Sequence, residues 1–141
     1  MVINGPNLNK LGSRDPDQYG TGTYMDLLGM IEGKSSEKVS ISCFQSNSEG
    51  KIIDYIQLAG EEYNGIVINP GAYSHYSYAI MDALADVEVP VVEVHISDVH
   101  SREDFRRQLV TARSSDKVIS GKGFEGYIEA IDYLIGVLDG D

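Results

Sequence analysis

At 141 residues with 42% hydrophobic side chains, the chain is long enough for one sizeable core and leaves no room for a second domain. A net charge of −11 argues against the extended basic face that nucleic-acid or anionic-membrane binding requires. With Cys43 as the only cysteine, no run long enough to span a bilayer and an opening, MVINGPN, unlike a signal peptide, a single domain over residues 1–141 in the cytoplasm is expected.

Residues 1–4 predict a short first strand that breaks at Gly5-Pro6. The polar stretch NGPNLNKLGSRDPDQYGTG follows, and loops of that length in small domains are usually lids or binding loops. Thr23 predicts the cap of a helix with Met25, Leu27, Leu28 and Ile31 on one side, ending at Gly33. Val39, Ile41 and Cys43 alternate with serines, the pattern of a half-exposed edge strand. Ser46 and Glu49 have capping-box spacing, and Ile52, Ile53, Ile56 and Ala59 make the apolar stripe of the next helix.

GIVIN at 65–69 predicts a third strand, ended by Pro70-Gly71, before a helix through Ala79, Ile80, Ala83 and Leu84. Val89, Val91, Val92 and Val94 form a β-branched run suited to a strand buried on both faces, with His95 and Ser97 at its carboxyl end. Ser101, three residues before Asp104, predicts a helix starting near Arg102. A weaker fifth strand over 118–120 and a last helix carrying Ile128, Ile131, Leu134, Ile135 and Leu138 complete the chain.

Five strand-helix repeats imply an α/β fold, a flavodoxin-like three-layer sandwich whose five-stranded parallel sheet has the order 2-1-3-4-5. In that order the loops after Asn4, Asn69 and His95 open on one edge, where ligands bind in such sheets.

The chain lacks G-x-G-x-x-G after its first strand, a P-loop and a G-x-S-x-G elbow, which removes the usual support for dinucleotide, nucleotide and serine-hydrolase chemistry. His75, His95 and His100 are joined by no thiolate or Glu-x-x-His pair, so neither a metal nor another cofactor is expected. Four of the five arginines, Arg14, Arg102, Arg106 and Arg107, fall in two polar segments. Cations in the first turn of a helix oppose its dipole, so a locally cationic pocket for a small anion is the simplest explanation.

Tyr19 lies five residues beyond Arg14, and its ring either packs the loop or serves as a tyrosinate base. Bringing a phenol from a pKa of about 10 to neutrality takes about 4 kcal/mol. One cation about 4 Å away at an effective dielectric near 20 supplies about that much. His95 is either a satisfied core histidine or an acid, and Glu93, two residues earlier on the same face of the strand, is placed to hold its ring. Asn69 and Gly71 fit turn chemistry, which leaves His75 unexplained; Asn7 fits a local turn. Asp82 lies on a helix and is solvated unless its end of that helix meets the pocket.

NGPNLNKLGSRDPDQYG, QSNSEG, INPGAYSHYS and EVHISDVHSREDFR, with GKGFEGY near the end, together resemble the type II 3-dehydroquinate dehydratases, in order and over essentially the whole chain. The resemblance implies a cofactor-free anti elimination of water from 3-dehydroquinate, giving 3-dehydroshikimate. It assigns Tyr19 as the base at C2, Arg14 as the cation that keeps it ionised, and His95 as the acid at the C1 hydroxyl. Asn7, with a water, would stabilise the enolate and Glu93 would orient His95. Asn69, His75, Asp82, Ile96, Ser97 and Arg106 match substrate-holding positions, and Arg102 matches a second arginine beside Tyr19. A first loop closing as a lid and a homododecamer built from trimers are further implications.

Asp98 stands where the family usually has asparagine, Met81 where a polar residue is common, and 108–117 lacks the usual His-Ser and Ala-Gly pattern. These departures put loop geometry and subunit contacts in question rather than the acid and base. Two rival readings follow: a non-catalytic flavodoxin-like module binding a small anion, and a non-catalytic relative kept for assembly or regulation.

Overall fold

The computed structural model describes residues 1–140. Strand β1 (Val2–Asn4) is three residues long and fully buried, with a parallel neighbour on each side. Val2 lies opposite Cys43 of β2 (Cys43–Gln45) and Val67 of β3 (Ile66–Asn69). Beyond β3 come β4 (Val91–His95) and β5 (Lys117–Ser120), so the sheet is wholly parallel in the order β2-β1-β3-β4-β5, as the alternation of elements predicted.

Helices α1 (Pro16–Tyr19), α2 (Tyr24–Glu32), α3 (Glu49–Glu62), α4 (Tyr78–Asp86) and α5 (Glu125–Leu138) connect or follow the strands. Successive strand side chains point to opposite faces. Val2, Val67, Val92 and Val94 therefore pack with Leu27 and Ile31 of α2 and Tyr127, Ala130 and Ile131 of α5. On the other face Ile3, Ile66, Ile68 and Val91 pack with Ile52 and Ile56 of α3 and Ile80 and Leu84 of α4. Each such valine, leucine or isoleucine contributes about 1.5–3 kcal/mol by leaving water.

Local signals explain where the helices start. Thr23 Oγ accepts from the Asp26 N–H (3.1 Å) while the Asp26 carboxylate accepts from the Thr23 N–H (2.9 Å), a full capping box that stabilises α2 by about 1 kcal/mol. The cap of α3 is Ser48, whose Oγ accepts from the Lys51 N–H, whereas Ser46 accepts from the Ser48 N–H in the preceding turn. Ser46 and Glu49 therefore form no capping box.

Three further expectations are corrected. β2 excludes Val39 and Ile41, because β1 offers a ladder partner only from Val2 onward and Val39 closes a tight turn on Ser36. No α-helix joins β4 to β5; that connection is made of 3-10 turns at Val99–Ser101, Asp104–Arg107 and Thr111–Ser114. Between Val99 and Val110 the only apolar residues are Phe105, which is exposed, and Leu109, too few for a buried stripe to hold a helix. At the end of α5, Leu138 is exposed, and the buried face runs instead through Tyr127, Ala130, Ile131 and Leu134.

Candidate active site

The carboxyl ends of β1, β3 and β4 meet beneath the first loop. A Cβ on Gly5 would lie 2.5 Å from the Pro70 carbonyl oxygen, so only glycine lets the loops after β1 and β3 approach so closely. Gly71 takes a φ of +61° against the Pro6 ring, a conformation glycine adopts without a Cβ penalty. Among the described residues Asn7 is the one non-glycine residue with positive φ (70°), and its N–H donates to Asn47 Oδ1 at 3.0 Å. The QSNSEG turn contributes no residue to the cleft wall. It braces the loop through that bond, through Gln45 Nε2 donating to the Gly5 carbonyl (3.1 Å), and through the Asn47 carbonyl accepting from Tyr73 (2.8 Å).

These loops enclose a cleft. The first loop contributes Asn7, Arg14 and Tyr19 to its wall, and the β3 end contributes Asn69 and His75. From the β4 end and the connection beyond it come His95, Ile96, Ser97, Arg102 and Arg106. Glu93 lies behind His95, outside the wall and wholly buried. Asp82 also lies outside the wall: it is exposed on α4 and does not line the cleft.

Tyr19 is held by two guanidinium groups. Arg14 Nη2 donates to its phenol oxygen at 3.0 Å and Arg102 Nη1 at 2.8 Å, while the Arg14 guanidinium carbon lies 3.8 Å from the ring centroid. Arg102 also donates to Ser97 Oγ at 3.2 Å, tying the loop to the β4 edge. An oxygen that accepts from two cations is well placed to carry negative charge. The opening of α1 presents Tyr19 there: Asp15 caps it, accepting from the Asp17 N–H (3.0 Å), and Pro16 occupies its first turn.

His95 Nε2 lies 2.8 Å from Glu93 Oε2, so the carboxylate accepts from the ring and fixes its tautomer. The other Glu93 oxygen accepts from the hydroxyl of Thr111, a wholly buried residue. His75 stacks near His95 with ring centroids 6.4 Å apart, and its Nδ1 meets the Gln108 carbonyl at 2.9 Å. Burial, helped by the charges of His95 and Arg106, holds the His75 ring below the ordinary histidine value of 6.5; the Gln108 bond opposes this. At neutral pH it is uncharged, with Nδ1–H donating to that carbonyl.

The folded chain thus binds this proton less tightly than the unfolded one. Its contribution to stability is complete above the ordinary value of 6.5 and is lost as pH falls through the folded value. Between about pH 7 and pH 5 the melting midpoint of the parent is expected to fall more steeply than that of His75→Gln, and parallel curves would count against this account.

Sequence reasoning missed Thr111 and Tyr127. Tyr127 is wholly buried; its hydroxyl accepts from Asn69 Nδ2 (2.9 Å) and donates to Asn4 Oδ1 (2.6 Å), joining the ends of β1 and β3. Burial pushes its pKa up, so it acts as a neutral brace. The signal for Tyr127 was present, since it shares the stripe of Ala130, Ile131 and Leu134 and a buried phenol needs partners. Thr111 left no such signal.

The departures act largely through main-chain atoms. His75 is bonded by the Gln108 carbonyl and Ser114 Oγ by the Met81 carbonyl, main-chain groups that any residue at those positions would supply. Asp98 caps the turn at Val99–Ser101 through one oxygen that accepts from the His100 N–H (3.1 Å), a task an asparagine oxygen performs equally.

A family model described as dehydroquinase class II matches residues 1–135. A Thermotoga neapolitana protein named 3-dehydroquinate dehydratase is 56% identical over 135 residues, covering 95% of this chain and 92% of that protein. A Clostridium botulinum protein of the same name is 52% identical over 139 residues, covering 98% and 95%. The crystal structure of type II dehydroquinase from Butyrivibrio crossotus superimposes with a TM-score of 0.91 at 54% identity and covers 94% of each chain.

Proposed function

Because the chain belongs to the class II dehydroquinase family, we propose that it is a 3-dehydroquinate dehydratase, a hydro-lyase of the shikimate route to chorismate and the aromatic amino acids. The observation that carries the catalytic assignment is the pairing within one cleft of a phenol oxygen held by two guanidinium groups and a histidine backed by a buried carboxylate.

Water leaves 3-dehydroquinate in two proton transfers. Tyr19, as phenolate, takes the C2 proton, and the electrons of that C–H bond move towards the C3 carbonyl to form an enolate. Asn7, with a water, stabilises the enolate oxygen. When the enolate collapses, C1=C2 forms and the C1–O bond breaks. His95 gives the departing hydroxyl its proton, and water leaves on the face opposite the lost hydrogen. Solvent then returns a proton to His95 and accepts the one on Tyr19. Arg14 and Arg102 stabilise the phenolate, and no step requires a cofactor.

The substrate is an anionic carboxylate, and Arg14, Arg102 and Arg106 make the cleft locally cationic on a chain of net charge −11. Its polar groups meet Asn69, His75, Ser97 and Arg106, with the Ile96-Ser97 main chain, whose carbonyls already accept from Gly121 and Gly123, forming one wall. Asp82 is exposed on α4 and outside the cleft of its own chain, so a substrate contact there takes a neighbouring copy; we take that assembly to be a cytoplasmic homododecamer built from trimers.

Incubation of the purified chain with 3-dehydroquinate is expected to produce the conjugated enone of 3-dehydroshikimate, followed by its ultraviolet absorbance, from material that sediments as a dodecamer. No absorbance change at high enzyme concentration would end the activity assignment, and a monomer with full activity would end the role given to Asp82.

A further inference from the structure

We propose that Thr111 is a positioning residue for this reaction, acting through Glu93 on His95. The inference rests on the assignment of His95 as the acid. Glu93 is wholly buried in β4, and a carboxylate in that setting stays ionised only if its oxygens are satisfied. Oε2 has His95 at 2.8 Å, and Oε1 has the Thr111 hydroxyl. The residue that completes the set is therefore supplied by the β4–β5 connection, 18 positions away in sequence.

Thr111 is itself held in place. It opens the 3-10 turn Thr111–Ser114, which packs on α4, and Ser114 Oγ donates to the Met81 carbonyl of that helix at 2.8 Å. With no exposed surface, its hydroxyl has little freedom to turn elsewhere. Removing the hydroxyl leaves Oε1 without a donor, which favours protonation of Glu93. The negative charge behind the imidazole then weakens, and the imidazolium loses part of its support.

Other charges also act on His95. His75 faces it from the β3 end, Arg102 and Arg106 from the β4–β5 connection, and Arg14 with Tyr19 from the first loop. All of them are unchanged in a Thr111 variant, so a difference between variants reports the hydroxyl.

The chain has only three histidines, so histidine-selective 15N labelling yields three ring titrations, with His95 assigned by its loss in His95→Gln. In Thr111→Val, His95 is expected to titrate about one pH unit below the parent, a tenfold smaller population of imidazolium above the midpoint. Thr111→Ser, which keeps the hydroxyl, is expected to titrate with the parent. The alkaline limb of kcat, where the acid is lost, should move the same way in each variant. Should Thr111→Val not fold, Thr111→Cys replaces it; its weak S–H donor should give an intermediate titration. A folded Thr111→Val or Thr111→Cys that titrates with the parent, or a Thr111→Ser displaced as far as the valine variant, would overturn the proposal. The titration needs no substrate: a parent that makes no product ends the dehydratase reading while the relay is still decided.

Discussion

Tyr19→Phe is expected to lower kcat by about 10²–10⁴-fold with little change in KM, because the variant keeps the ring and loses only the oxygen that takes the proton. The structure makes this substitution informative. The ring packs at the margin of the α2–α5 core, and phenylalanine preserves that packing, so the melting midpoint should stay close to the parent's. What disappears is the common acceptor of Arg14 Nη2 and Arg102 Nη1, the oxygen that brings the two cations together at this point of the cleft. Steady-state rates on 3-dehydroquinate, with a thermal melt of the same sample, provide the test. Activity within tenfold of the parent in a folded Tyr19→Phe chain would show that the base lies elsewhere.

His95→Gln is expected to lower kcat by a similar factor, about 10²–10⁴, and to leave a chain that still folds. Glutamine is chosen for a reason rooted in Glu93. That carboxylate has no exposed surface, and His95→Ala would strip it of one of two donors. Breaking a buried charged pair by removing one partner costs about 3–5 kcal/mol, a large share of the stability of a chain this size. His95→Ala should therefore melt well below the parent and confuse lost chemistry with lost structure. A glutamine amide can still donate to Oε2 but cannot deliver a proton. If His95→Gln turned over normally, the acid would have to be another group, and His75, the nearest ring, would be the first to examine.

The departures after Gln108 suggested a relative that had lost activity, and the structure removes much of that suggestion's force. A sequence displays side chains, whereas the bonds made by Met81 and Gln108 use carbonyl oxygens that every residue carries. For the same reason the capping signal at Ser101 misled. It is a local preference worth about 1 kcal/mol, and with Phe105 exposed no buried stripe follows to sustain a helix. At α3, two serines compete within one turn, and the neighbouring chain geometry selects Ser48 over Ser46.

By itself the sequence determined the sheet order, both helical layers and the segments that carry Arg14, Tyr19, Asn69, His75 and His95 to one edge. Burial periodicity and the alternation of strands with helices are properties of neighbouring residues, and a parallel sheet allows few ways to connect them. Only the tertiary structure decided that Tyr127 ties Asn4 to Asn69, that Thr111 completes the environment of Glu93 and that Asp82 stands away from its own cleft. Those relations depend on where distant segments are brought together. A buried hydroxyl takes whichever partner the packing leaves within about 3 Å, and no local pattern encodes that choice.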